Sequence, residues 1–152
     1  MRHQTEPTRG RAVSISDDGG ETFGPITYDN ALIGPICEGS IVTHPGASGA
    51  NGANGASGAS GGVTYFSNPA SPTSRINITI RRSVDNAQSW GSSSFLVDAG
   101  SGFGYTSLVS EPLQRCTGTR CTAVDSDKDG KGGILWEAWN GTIMFAPFPL
   151  TF

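Results

Sequence analysis

The sequence predicts an all-β fold assembled from repeated antiparallel units, part of a β-propeller, and three observations carry that expectation. No stretch of the 152 residues shows helical periodicity, whereas several short runs alternate apolar with polar side chains. Those runs are punctuated by 22 Gly and 9 Pro, the residues that start and end strands. An octapeptide, SDDGGETF at 16–23, returns in looser form as SVDNAQSW at 83–90. The two serines, Ser16 and Ser83, stand 67 positions apart, and 50 apart once the 17-residue low-complexity run at 46–62 is left out, which is the length of one four-stranded blade. A β-sandwich whose two turns coincide is the competing architecture.

In chain order, RAVSIS at 11–16 alternates and predicts a strand, and Asp17–Gly20 forces a turn before a return strand. Residues 25–36 carry two prolines and few apolar side chains, and GSIVT at 39–43 predicts a short buried strand. The run 46–62 contains only Gly, Ala, Ser and Asn, so it has nothing to anchor in a core and is expected to be a solvated, flexible insertion. VTYFS at 63–67 resumes strand character, and the Asn68-Pro69 and Ser71-Pro72 pairs mark a loop. At 75–82, Ile76, Ile78 and Ile80 alternate with Arg75, Asn77, Thr79 and Arg81, the pattern of a half-buried strand, with Arg81 and Arg82 as surface charge. Residues 95–97 predict a short strand, glycines at 100–104 lead closely to Tyr105, and Leu108 and Val109 continue as a strand. A polar loop is expected over 114–133. GILWEAW at 133–139 and TIMFAPFPL at 142–150 then form a closing hairpin around Asn140-Gly141.

Composition excludes several function classes. With 10 Lys and Arg against 13 Asp and Glu, the net charge is −3 and there is no basic field for nucleic acid or an anionic membrane. No apolar run approaches the ~20 residues that span a bilayer, and MRHQTEPTRGR lacks the apolar centre of a secretory signal, so no compartment is assigned. Three cysteines cannot all pair with one another; Cys116 and Cys121 are close enough in sequence to bridge. The run Asp125-Ser-Asp127-Lys-Asp129-Gly130 has a calcium-loop spacing, but the twelfth position is Trp136 and the only glutamate, Glu137, comes one residue late. It is expected to be a solvated hairpin tip. His3 and His44 have no ligand spacing to each other or to the cysteines, so neither metal nor cofactor is assigned.

Ser16-x-Asp18-x-Gly20-x-Thr22-Phe23 resembles the Asp-box of exo-α-sialidases, and Ser83-x-Asp85-x-Ala87-x-Ser89-Trp90 a degenerate copy of it. Around these stand RAVSISDDGGETF, FSNPASPTSRINITIRRSVDNAQSW, GFGYTSLV and GILWEAWNGTIMFAPFPL, in the family's order. Together they resemble the C-terminal part of a sialidase over nearly the whole chain apart from 46–62. The resemblance implies a six-bladed propeller of which residues 1–152 supply roughly the last two to three blades.

It also implies roles. The family binds the sialic acid carboxylate with three arginines; Arg11 matches the second and Arg75 the third, and nothing matches the first. Guanidinium forks suit a carboxylate and stay charged at any physiological pH. Tyr105 matches the nucleophile, a neutral phenol that the substrate carboxylate does not repel. Glu137 matches a glutamate that orients the first arginine. Glu38 stands where a polar residue often faces the sugar, although its own charge would oppose an anionic ligand. The family's general acid and base match no residue here and are expected upstream of Met1. The implied partner is a sialylated glycan or free sialic acid, the implied activity release of terminal sialic acid, and the isolated 152 residues are expected to be inactive. Transfer of the sialic acid to another sugar, and a non-catalytic sialic-acid-binding module, are the alternatives.

Overall fold

In the computed structural model, described over residues 10–44, 62–100, 102–110, 114–117, 120–123 and 131–152, every element is a strand. The low-complexity run, apart from Gly62, and the acidic run at 125–130 lie outside the described residues. The chain begins with β1 (Arg11–Val13) and β2 (Thr27–Asp29), which pair antiparallel. A four-stranded antiparallel meander follows: β3 (Ser40–His44), β4 (Val63–Pro69), β5 (Ile78–Ser83) and β6 (Ser94–Asp98), neighbours in that order. The second sheet places β7 (Gly102–Ser110) beside β10 (Lys131–Ala138) and β10 beside β11 (Ile143–Pro149). Between them, β8 (Gln114–Thr117) and β9 (Arg120–Ala123) form their own hairpin, with Cys116 and Cys121 directly opposite in its register.

The two larger sheets face each other, and their facing side chains make the core. Val63, Tyr65, Ile78 and Ile80 from the meander meet Ile134, Trp136, Phe148 and Leu150 from the far side. Tyr65 meets Phe148 edge to face at 5.6 Å, and its hydroxyl donates to the Leu150 carbonyl, so the one polar atom of this aromatic pair is satisfied. Phe148 lies over Gly132, where a Cβ would stand 2.1 Å from its ring; the glycine lets the ring reach the sheet. Polar stitching continues along β7, where Ser67 donates to Thr106 and the Leu108 amide donates to the Ser40 hydroxyl. The opposite face of the second sheet is bare: Val109, Leu135, Ile143 and Phe145 are all exposed.

Several expectations are corrected. The first strand ends at Val13, and its partner is β2, drawn from the proline-bearing segment rather than from the residues straight after the turn. The supposed polar loop at 114–133 contains the β8–β9 hairpin. The strand anticipated from Arg75 begins only at Ile78, because Asn77 adopts a left-handed φ of 60° and leaves Ile76 exposed. β5 is not half-buried: it lies between β4 and β6, and Ile78, Thr79 and Ile80 are all covered. Nor are Arg81 and Arg82 surface charge. Both are partly buried; Arg81 donates to Asn68 and Arg82 interacts with the Tyr65 hydroxyl.

The two octapeptide turns have the same geometry despite their different sequences. In each, the serine hydroxyl donates to the aspartate at 2.7 Å and accepts the amide two residues beyond that aspartate, from Gly20 at 2.8 Å or Ala87 at 2.9 Å. The aspartate in turn accepts the amide and hydroxyl of Thr22 or Ser89. Left-handed φ values fall on Gly19 and Gly20 in the first turn and on Asn86 and Ala87 in the second. These hydrogen bonds, with the hydroxyl of Thr22 or Ser89 contributing most, hold Asp18 well below the usual carboxylate range and Asp85 down to about 2.

Two outcomes follow from these turns. Ala87 pays a left-handed penalty that glycine avoids, so Ala87→Gly is expected to stabilise the chain by about 0.5–1 kcal/mol in urea unfolding, after the extra freedom glycine gives the unfolded chain. Asp85 has a lowered folded-state pKa, so its contribution is complete above the ordinary carboxylate value and disappears as pH falls through about 2. Asp85→Asn should therefore flatten the loss of stability across this acid window, measured as unfolding midpoint against pH.

Candidate functional site

A buried amide organises the site. Asn68, near the end of β4, is fully buried; its Nδ2 donates to the Ile33 carbonyl at 2.8 Å and to the Pro69 carbonyl at 3.0 Å, while its Oδ1 accepts from Arg81 at 3.2 Å. This anchors the segment 32–37, whose buried Leu32 and Cys37 side chains hold it against the sheets. Two consecutive carbonyls of that segment then receive two arginines. Arg11 on β1 donates through both Nη1 and Nη2 to the Cys37 carbonyl, each at 3.2 Å, with its guanidinium 5.2 Å from the centre of the Phe66 ring. Arg75 donates to the Ile36 carbonyl at 3.4 Å. Burial lowers the Arg11 pKa from its ordinary value and the neighbouring Cys37 opposes that, but a guanidinium remains charged at neutral pH.

β7 supplies the other wall. Gly104 has φ 119°, and a Cβ there would stand 2.7 Å from the Cys37 sulfur and 3.2 Å from Arg75 Cδ. Its bare backbone lets Cys37 and Arg75 approach just before Tyr105. The Arg75 guanidinium lies 5.2 Å from the ring centres of both Phe103 and Tyr105, which share one face of β7. Tyr105 is 38% exposed, so its phenol can meet a ligand. Glu137 lies across from Gly104, at a point where the β7–β10 register shifts on both sides of it; such irregularities re-aim side chains next to sites.

Two guanidiniums with donors left over, set on neighbouring carbonyls, can hold an anionic group such as a carboxylate, and an accessible phenol lies beside one of them. A sialidase from Micromonospora viridifaciens is 35% identical to this chain over 141 residues, 92% of the chain. Among solved structures, Hadza microbial sialidase Hz136 superposes with a TM-score of 0.60 and 26% identity over 94% of the chain. These likenesses support a sialidase-like family for the chain. No protein-family profile matches. The chain spans 18% of the first relative and 23% of the second, less than a quarter of either. Its all-β architecture, a four-stranded meander stacked on a three-stranded sheet, is that of a partial sialidase-like propeller.

Of the residues singled out from sequence, the sialidase-like fold brings Arg11, Arg75 and Tyr105 together around the backbone of Ile36 and Cys37. Glu38 follows directly and is exposed. Glu137 is near Tyr105 along the β7–β10 pairing, and among the described residues no cation pairs with it. Among the described residues there is no group of three potential metal ligands and no helix long and apolar enough to cross a membrane.

Three contributors were missed. The local sequence points elsewhere for each: Asn68-Pro69 reads as a loop, the glycines at 100–104 as a close approach to Tyr105, and Cys37 carries no sign of a role. The Asn-Pro pair directly after the strand-forming run at 63–67 is the one local sign of a buried amide. Gly104→Ala is expected to cost about 1–3 kcal/mol through a strained φ and the clash with Cys37, and to displace Tyr105. Thermal unfolding and the NMR shifts of the Tyr105 ring would check both effects.

Proposed function

We propose that this chain supplies the carboxylate clamp and the nucleophile of an exo-α-sialidase, a retaining glycoside hydrolase that releases terminal sialic acids. One observation carries the reading: Arg11 and Arg75 are seated on adjacent carbonyls, and the Arg75 guanidinium lies over the ring of an exposed tyrosine. Sialic acid bears its carboxylate on the anomeric carbon, so a site for it needs cations and an uncharged nucleophile within one bond length of each other's targets.

In this reading Arg11 and Arg75 bind the carboxylate by charge-assisted hydrogen bonds and orient the anomeric carbon toward Tyr105. The Tyr105 oxygen attacks that carbon; its proton passes to a general base, and the bond to the departing sugar breaks as a general acid protonates the leaving oxygen. Water then attacks the tyrosyl-linked carbon from the vacated face, and the phenol is regenerated with net retention. Glu137 is read as the orienting partner of a further arginine, and Glu38 as a residue at the sugar's edge. The acid, the base and that arginine are not among the residues assigned in these 152 positions, so the 152-residue chain alone is expected to bind sialic acid weakly and to turn nothing over.

The test uses a fluorogenic sialoside and the whole protein in which the chain occurs. Tyr105→Phe should lower turnover at least about 10³-fold while leaving the affinity for free sialic acid within a few-fold. Proton NMR of the first product should show the α-anomer. Unimpaired turnover in the variant, or initial release of the β-anomer, would sink the assignment of Tyr105.

A further inference from the structure

Beyond Tyr105 the same surface continues into an aromatic pair that the clamp does not use. Phe103 and Trp139 meet edge to face, with ring centres 4.7 Å apart at 78°. Trp139 is 74% exposed. It opens the turn after β10, and that turn is well bonded: the Gly141 amide donates to the Ala138 carbonyl at 2.9 Å, the Ala138 amide to the Thr142 carbonyl at 2.9 Å, and the Thr142 amide to the Asn140 side chain at 3.1 Å. The indole is thus carried on fixed backbone while most of its surface faces solvent.

We propose that Phe103 and Trp139 form the wall against which the second sugar of the substrate lies, the neutral hexose to which the sialic acid is attached. The inference rests on the sialidase reading above and adds to it the recognition of the leaving group. Continuity argues for this occupant. Arg75 touches both Tyr105 and Phe103, and Phe103 in turn touches Trp139, so the aromatic pair adjoins the proposed reacting centre without a gap. Phe103 and Tyr105 are two residues apart on one face of β7, roughly 7 Å along the strand, which is about the reach of one hexose from the bond being broken.

The chemistry matches as well. A neutral hexose presents one face of C–H bonds, which gains by covering an exposed indole and has no charge to be repelled by Arg75. The perpendicular packing of the pair leaves indole surface uncovered, and the rigid two-torsion side chain loses little freedom on binding. A sialic acid residue itself, being anionic, is drawn to the arginines instead.

The experiment compares three ligands, free N-acetylneuraminic acid, 3′-sialyllactose and lactose, by NMR titration of the whole protein in its Tyr105→Phe form, which leaves the trisaccharide uncut over the titration, and of that form carrying Trp139→Ala or Trp139→Phe. Sialyllactose should move the Trp139 indole N–H resonance, whereas free sialic acid should leave it in place. Trp139→Ala should weaken sialyllactose binding about 3–10-fold and leave free sialic acid unchanged, and Trp139→Phe should recover much of the loss. Equal effects of Trp139→Ala on both acidic ligands, or on neither, would overturn the subsite while leaving the clamp intact. If the parent protein binds neither acidic ligand, the sialidase reading fails and the subsite with it. Binding of lactose alone at the indole, with no gain for sialyllactose, would also overturn the proposal, because the two sugars would then not be read as one ligand.

Discussion

The amide of Asn68 is the constraint on which the rest of the site depends. It is buried without residual exposure, so each of its polar atoms must find a partner inside the protein or cost roughly 1–3 kcal/mol. Its partners are the Ile33 carbonyl, the Pro69 carbonyl and Arg81, which tie a non-repetitive segment to the end of an inner strand of a packed sheet. Because that segment is held, the carbonyls of Ile36 and Cys37 are held, and Arg11 and Arg75 reach them from elements far apart in sequence. Preorganised cations of this kind lose little entropy when a ligand arrives.

The octapeptide turns belong to the scaffold. Each closes on itself, its serine and aspartate bonding to the turn's own amides and hydroxyls. The second turn is also tied to the site's framework from outside, since Trp90 donates to Asp29 on β2 at 2.8 Å and its ring meets Phe66, over which Arg11 lies. A repeated turn therefore helps to place Arg11 through the rings of Trp90 and Phe66.

The second sheet has one face in the core and one bare, with Val109, Leu135, Ile143 and Phe145 exposed beside Tyr105 and Glu137. In a ring of blades each sheet is covered on both faces by its neighbours. A contiguous apolar face of this kind favours association through exposed hydrophobic surface. The site and this face share a strand, so whatever covers the one sets the surroundings of the other.

By itself, the sequence determined the all-β class, most strand positions and the chemistry of the turns. These are local properties: alternation over five to eight residues, glycine at left-handed positions, and short acceptors beside amides. The grouping of Arg11, Arg75 and Tyr105 was legible through family resemblance, because no periodicity links residues so far apart. The tertiary structure alone decided that β2 comes from the proline-bearing segment, that 114–123 forms a hairpin, that Arg81 and Arg82 are covered, and that Asn68 holds the segment on which Arg11 and Arg75 are seated. Apart from that hairpin, whose pairing is local, those outcomes depend on contacts between residues 13 or more positions apart, where a side chain's environment is set by whichever element folds onto it and not by its neighbours in sequence.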